Sequence, residues 1–531
     1  MSVKTMNSVP EHLNITEQCL DRHRGTSVSN REAMVFLHEN GQRKSFTYDQ
    51  LADQVDTFAD VLKKHGVEKG ERVLIRLTNV EWFPISFFAA LKIGAVPVPS
   101  SMLLAGDEVV YLLKDSASKV LVTEPELWTN IREQVGSMQA PPKVLVTEKI
   151  SAGSIPAIQE YLIADEMSTS NKIAKHVETR ANDPAYLVYT SGTTGFPKGV
   201  LHAHRALIGR IPASTHWFNF IEEERILHSG KFNWTYVLGT AMMDPLFHGK
   251  TVVVYEGKND ASGWIRTIAD EKCTTFIGVP TIYRQILQKT ECTAEDVPTL
   301  RHCMCAGEHL SEPVLKSWQE RFGVWIFEGL GMSEISYYIS QSKFDEIRPG
   351  MAGKVQPGHI VSIMDGDMKE AEDGDEGVIC IHKDDTGLFL EYWKLPEQTE
   401  AAFKEGWFVT GDYAIRDREG YIRFLGRRDD IIKSFGYRIS PYEIERVMKG
   451  HPDIADCAAV GEVVGEDKTI VTLCVILKPG ANENGEELLA WSKGHLADYK
   501  RPKSVKFFSD FPRTANGKII RKSLINKVNA G

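Results

Sequence analysis

Tyr189-Thr190-Ser191-Gly192-Thr193-Thr194-Gly195-Phe196-Pro197-Lys198-Gly199-Val200 follows directly on the run Ala185-Tyr186-Leu187-Val188. That short apolar run predicts a buried strand. From Thr190 to Gly199 the chain supplies four Ser/Thr residues, three glycines and one lysine. Glycine lets backbone N–H groups come close to a ligand, and hydroxyls add further donors. Lys198 adds a point cation. A loop of this kind can form a concave nest of donors for phosphate. It is not a P-loop, because neither Gly192 nor Gly195 is followed by a second glycine at the spacing Gly-x-x-x-x-Gly-Lys demands. Taken alone, the same composition also suits a polar turn between a strand and a helix.

The chain has 531 residues, too many for one ordinary domain, so two or more are expected. Hydrophobic residues at 42% and charged residues at 25% are ordinary for a globular protein. A net charge of −10 argues against a general binder of nucleic-acid backbone, which needs a basic surface. The eight cysteines are scattered, with Cys303 and Cys305 the close pair and no second pair at metal-site spacing. They predict reduced, mostly buried thiols in a cytoplasmic protein rather than a zinc site. The start, Met1 to Asn7, lacks the apolar centre of a signal peptide. Phe87 to Leu104 comes nearest to a membrane span, but Lys92, Gly94, Pro97 and Pro99 break it, so no membrane insertion is expected.

Before the phosphate-type loop, strand and helix patterns alternate. The first 40 residues read as polar and mixed. Leu51, Val55, Phe58, Ala59 and Leu62 then share one helical face. Arg72 to Ile75, Ala95 to Val98 and Lys119 to Val122 read as strands, and Trp82 to Leu91 and Asp107 to Lys114 as helices. This alternation predicts parallel sheets wrapped by helices. From about residue 359 short strands and Gly-containing turns predict a β-rich subdomain. Gly426-Arg427-Arg428-Asp429-Asp430 is the candidate boundary, followed by an α+β pattern with a helix at 441–449 and strands at 456–463 and 469–477. The expected fold is therefore α/β: a large N-terminal domain over 1–428 of stacked mixed sheets with helices plus the β-rich subdomain, and a small α+β C-terminal domain over 429–531.

Four further stretches place chemistry-bearing side chains in order along the chain. They are Glu328-Gly329-Leu330-Gly331-Met332-Ser333-Glu334, Gly406-Trp407-Phe408-Val409-Thr410-Gly411-Asp412, Gly426 to Arg438, and Pro512-Arg513-Thr514-Ala515-Asn516-Gly517-Lys518. Each in isolation has a plain structural reading: a Gly-rich turn after a strand, a capped turn, a charged turn feeding a hairpin, and a solvated lysine. Asp412 could clamp a ribose diol, since a carboxylate accepts well from two adjacent hydroxyls. Glu334 suits Mg2+, which takes few carboxylates plus phosphate oxygens.

Together with the opening loop, these five motifs closely resemble those of the adenylate-forming enzymes: acyl- and aryl-CoA ligases, peptide-synthetase adenylation domains and firefly-type luciferases. The resemblance spans essentially the whole chain and implies the following roles. Thr190, Ser191, Gly192, Thr193, Thr194, Gly195 and Lys198 would hold the ATP phosphates. Glu328, Gly329, Leu330, Gly331, Met332 and Ser333 would meet adenine and the α-phosphate, with Leu330 where tyrosine is usual, as in benzoate-ligase-like members. Gly307 and Glu308 would contact adenine and the acid's carboxylate. Glu334 would help bind Mg2+, Asp412 and Arg427 the ribose, and Arg438 a phosphate. Asp429 would be the hinge of a mobile C-terminal domain. Lys518 would serve adenylate formation, with Asn516 replacing the usual Ser/Thr beside it. A domain rotation would then present Lys433 and the CoA channel edge Phe435-Gly436-Tyr437. His204, Trp234 and Tyr236 would line the acyl pocket. His202-Ala203-His204 offers two imidazoles but no third ligand nearby, so a metal there is not expected.

The implied function is an ATP-dependent, AMP-forming carboxylic acid–CoA ligase for a small aromatic or short- to medium-chain acid. The implied partners are the acid, ATP, Mg2+ and CoA, with no nucleic acid; a homodimer is left open. The alternative is a stand-alone adenylation enzyme that loads a carrier protein. The covalent Lys-x-Asp-Gly string of nucleic-acid ligases does not occur.

Overall fold

The structure is a computed structural model that describes residues 9–150, 155–190, 197–258, 260–308, 310–427, 430, 432–434, 437–465, 468–496, 498–513 and 519–530. Within this set the side chains of Lys433, Tyr437, Arg438, Lys468, Gly494, Tyr499 and Ala530 are not described.

Two sheets stack in the large domain. The first has nine strands, in the spatial order Lys354–Val355, Ser336–Ser340, Ile326–Met332, His302–Ala306, Thr275–Gly278, Arg225–His228, Thr251–Glu256, Glu32–His38 and Arg43–Thr47. The middle of the sheet is parallel and both edges are antiparallel. The second is wholly parallel, in the order Val96–Pro99, Arg72–Arg76, Val120–Thr123, Lys143–Val146 and Glu160–Leu162. Helices Tyr48–Lys64 and Trp82–Lys92 contribute to one apolar core with strands of both sheets. The first begins with a capping box, Thr47 bonding the Gln50 N–H and Gln50 reaching back. The second is apolar almost all round, as a helix buried between two layers must be.

The hairpin Pro184–Thr190 and Lys198–Ala203 forms a small antiparallel sheet with Glu391–Tyr392. Thr190 pairs with Lys198, so the phosphate-type loop joins two antiparallel strands, not a strand and a helix. The β-rich subdomain is present: Val361–Met364, Glu376–His382, Trp407–Arg416, Phe403–Lys404 and Ile422–Arg427. The core changes owner between Arg427 and Ile432: Ile422 belongs to the subdomain core, whereas Ile432 and Ile439 pack with Ile444, Cys457 and Leu473. The small domain carries the hairpin Ile432–Ser434 and Tyr437–Ile439, the sheet Ile454–Gly465, Lys468–Leu477 and Ser504–Phe507, and helices Pro441–Met448, Gly485–His495 and Arg521–Ala530.

Two expectations are corrected. The opening segment is not merely polar: Glu32–His38 is a buried strand in parallel register with Thr251–Glu256. Its apolar run is short and charge-flanked, so only the distant partner strand identifies it. The plain reading of the second motif as a turn holds only for its end: Glu328 to Met332 belong to strand Ile326–Met332, Gly329 to Met332 pair with Ser336–Ser340, and the turn falls at 333–335. Among the described residues no helix is long and apolar enough to cross a membrane.

Candidate functional site

The described part of the site lies where the small hairpin, the end of strand Ile326–Met332 and the β-rich subdomain converge. Lys198 opens the second hairpin strand, and its Nζ stands 4.2 Å from the ring centroid of Tyr392. The Tyr392 hydroxyl donates to Glu334 Oε1 at 2.8 Å, and the Phe389 N–H donates to the Glu334 carbonyl. Tyr392 therefore ties the base of the phosphate-type loop to the candidate metal carboxylate. Burial and then the Glu334 charge push its hydroxyl far above the usual phenol range.

Asp412 and Arg427 are register partners across an antiparallel pair, and Arg427 Nε lies 3.2 Å from Asp412 Oδ1. Asp412 keeps the strand's regular alternation, on the buried face with Phe408, Thr410 and Ala414, and the register shift falls just beyond it, between Tyr413 and Ala414. Arg427 is held above its usual range by Asp412 first, with Glu334 adding to the effect. Asp412, Arg427 and Glu334 thus share one electrostatic neighbourhood. One buried carboxylate, Glu334, beside a loop of phosphate-nest composition is a donor set that fits a hard dication such as Mg2+.

Ser333 is fixed from behind. The His202 Nε2–H donates to its carbonyl at 2.7 Å, and the His202 ring stacks on Tyr186 with centroids 4.7 Å apart. Burial pushes His202 down to about 3, so the ring is neutral and one nitrogen can donate. Leu330 pairs with Ile339 and is half-buried. Glu328 is buried and accepts from the Leu310 N–H at 3.2 Å, while Glu308 Oε2 accepts from Thr281 at 2.8 Å. Gly307 has φ +90°, and a Cβ there would stand 3.0 Å from the Trp234 indole.

Trp234 and Tyr236 come together with ring centroids 5.0 Å apart, inside an aromatic cluster that also holds Trp217 and Tyr337. Three buried polar atoms in this region have no hydrogen-bond partner among the described residues: Tyr236 Oη, Tyr337 Oη and His228 Nε2. His228 Nδ1 accepts from the Gly230 N–H, so its ring proton is on Nε2, and burial pushes it down to about 3. Opposite Tyr337 the helix Thr235–Leu238 passes into a π-turn at Gly239–Met243. A Cβ on Gly239 would lie 3.0 Å from Tyr337 Oη and 3.5 Å from Arg210 Nε. Arg210 is fully buried, donating to Asp244 at 2.9 Å and to the Tyr186 hydroxyl at 3.2 Å.

His204 is fully buried. Its Nδ1 accepts from the Ile15 N–H at 3.2 Å, and the carboxylate acting on it is Asp183. His202, two residues before it, is the one turned toward the second motif; the strand ends at Ala203, so the alternation that would put both rings on one face does not extend to His204. Ser191, Gly192, Thr193, Thr194, Gly195, Asp429, Phe435, Gly436 and Lys518 lie outside the described residues, as do the side chains of Lys433, Tyr437 and Arg438. Sequence reasoning missed Tyr392, Trp217 and Tyr337. Each sits beside another aromatic in the sequence (Trp393, Phe218 and Tyr338), so nothing local tells which ring faces the site, and only the fold brings it there.

Comparison with known proteins followed the same outline. Residues 21–393 match the model of the AMP-binding enzyme family, and residues 443–518 that of the AMP-binding enzyme C-terminal domain. A 3-hydroxybenzoate–CoA/4-hydroxybenzoate–CoA ligase of Thauera aromatica is 30% identical over 525 residues, covering 98% of each chain. Benzoate–CoA ligase of the same organism is 30% identical, covering 97% of this chain and 96% of its own. The crystal structure of the anthranilate CoA ligase AuaEII in complex with anthranoyl-AMP superposes with a TM-score of 0.89 at 27% identity, covering 99% of both chains.

Proposed function

The chain belongs to the AMP-binding enzyme family, and from that premise we propose that it activates a small aromatic acid carrying a hydroxyl or amino group on its ring. The protein is an ATP-dependent, AMP-forming carboxylic acid–CoA ligase. Loading of a carrier protein is not favoured by these relatives. The observation that carries the proposed acid is the aromatic cluster of Trp217, Trp234, Tyr236 and Tyr337, with two buried tyrosine hydroxyls that lack a partner among the described residues. Flat walls suit a flat acid, and an unpaired buried hydroxyl gains from a substrate that pairs with it.

The reaction follows from carboxylate chemistry. A carboxylate is a poor electrophile because its leaving group would be oxide. Its oxygen attacks the α-phosphorus of ATP, the bond to pyrophosphate breaks, and acyl-adenylate forms. The CoA sulfur then attacks the acyl carbon, its thiol proton is lost, and the bond to AMP breaks. We assign Lys518 to the first step, with the donors of 190–198 holding phosphate oxygens as charge builds on them. Mg2+, when bound, offsets phosphate charge as a Lewis acid, and Glu334 would hold it. We assign Asp412 and Arg427 to the ribose, Asp429 to a hinge between domains 1–428 and 429–531, and Lys433 with 435–437 to the second step. Tyr392 and His202 keep Glu334 and Ser333 in place for both. A cytoplasmic setting is our reading of eight unpaired, mostly buried cysteines.

A mass-spectrometric screen with ATP, Mg2+ and CoA tests the acid. It would compare benzoate, hydroxy- and aminobenzoates, and linear acids of various lengths. Substituted benzoates converting to CoA thioesters ahead of benzoate are expected. A preference for linear acids would overturn the aromatic reading.

A further inference from the structure

We infer that Arg284 is a positioning residue whose ion pair with Asp456 latches the small domain in the arrangement seen here and seats Arg513 and Ile519, the residues that flank the stretch containing Lys518. The inference rests on the assignment of Lys518 to adenylate formation. Arg284 lies on helix Pro280–Lys289 of the large domain and Asp456 on strand Ile454–Gly465 of the small one. Arg284 Nη2 stands 3.8 Å from Asp456 Oδ2, with Asp456 7% and Arg284 21% exposed at the side chain.

Asp456 already has two cations from its own domain. Lys449 Nζ is 3.0 Å from Oδ1, and Arg513 donates to Oδ2. Burial by itself would raise this carboxyl; Lys449, Arg284 and Arg513 carry it down to about 2. Because Lys449 and Arg513 belong to the small domain, they travel with Asp456 in any rigid rotation. The Arg284 contact alone in this group is tied to one arrangement. At 3.8 Å, and with Arg284 itself partly exposed, this contact is weak enough to break and re-form in every turnover.

Arg513 gives the latch its consequence. It bridges to Ile519, and the Ile520 N–H donates to the Pro512 carbonyl at 2.8 Å. Lys518 is the residue before Ile519 in the sequence. On the other side, Arg284 donates to Thr281 Oγ1 at 3.3 Å, and Thr281 donates to Glu308. One chain of polar contacts therefore runs from Glu308 through Thr281 and Arg284, across the domain boundary, to Asp456 and Arg513.

The test separates the two half-reactions in the full-length enzyme. Acid-dependent exchange of pyrophosphate into ATP reports adenylate formation. Conversion of synthetic acyl-adenylate plus CoA reports the thioester step. Arg284→Glu sets two like charges face to face and is expected to slow the first by about tenfold or more, with the second within about twofold of wild type. Arg284→Lys keeps the charge and is expected to restore most of the first rate, and high salt is expected to narrow the gap between wild type and Arg284→Glu. Equal slowing of both half-reactions, or of neither, would overturn the latch. Lys518→Ala run in parallel distinguishes the layers: if it still makes adenylate, the assignment beneath the inference fails; if it does not and Arg284→Glu does, the latch alone fails.

Discussion

Replacing Tyr337 by phenylalanine removes one oxygen and leaves the ring in place. The ring keeps its edge contact with Trp217, centroids 5.0 Å apart at 60°. The hydroxyl is buried and has no partner among the described residues. An unpaired buried hydroxyl costs about 1–3 kcal/mol, so the unliganded variant is expected to be no less stable than wild type and to melt at the same or a higher temperature. A neutral hydrogen bond to the ring substituent of a bound acid contributes about 0.5–1.5 kcal/mol, which corresponds to about two- to twelvefold in kcat/KM. The loss should therefore fall on hydroxy- and aminobenzoates and spare benzoate to within about twofold. The assay is CoA-thioester formation at saturating ATP and CoA, with benzoate and its substituted forms compared in wild type, Tyr337→Phe and Tyr236→Phe. Two findings would refute the reasoning. One is an equal fall for benzoate, which would make Tyr337 a packing residue. The other is an unchanged substituent preference in both variants, which would leave the polar atoms without a part in acid selection.

Other substitutions probe the half-reactions and the small domain. Lys518→Ala is expected to abolish adenylate formation while still converting synthetic acyl-adenylate with CoA; loss of both together would refute its assignment. Asp429→Pro is expected to spare the first half-reaction and slow thioester formation, and equal slowing of the two would count against a hinge there. In the small domain, Glu445 forms a bidentate pair with buried Arg521 at 2.7 and 2.9 Å and also accepts from the Ala459 N–H. Glu445→Gln leaves that guanidinium with Asp430, at 3.7 Å, as its charged partner and should destabilise the small domain by about 1.5–3 kcal/mol. Hydrogen exchange in helix Arg521–Ala530 would report it as faster exchange confined to that domain, and unchanged protection would contradict the estimate.

Most of the secondary structure was legible because its signals are local. The amphipathic face of Leu51 to Leu62 and the apolar run at Arg72 to Ile75 mark elements without any partner, and helix Tyr48–Lys64 and strand Arg72–Arg76 occur where those patterns stand. The β-rich texture after residue 359 was equally local, carried by turn residues and short alternating runs. Strand Glu32–His38 was not legible, because a brief apolar run among charges becomes a strand only by docking beside Thr251–Glu256. For the site, Lys198, Glu334, Asp412 and Arg427 were named from motif order. The surroundings of His204 were not legible, because a two-histidine string does not reveal which ring faces which layer; the fold sets its Nδ1 against the Ile15 N–H.

The sequence by itself determined the class of chemistry: five motifs in order along the chain resemble those of the adenylate-forming enzymes, and the family match over the same residues agrees. Tertiary structure alone decided how those side chains are held and what the acid meets. Tyr392 reaches Glu334 from 58 residues away, Trp217 meets Tyr337 across separate elements, and Arg284 reaches Asp456 across two domains. Such contacts leave no periodicity or spacing in the chain. They arise only when burial of apolar surface brings distant segments together, and the polar atoms then have to find partners within reach.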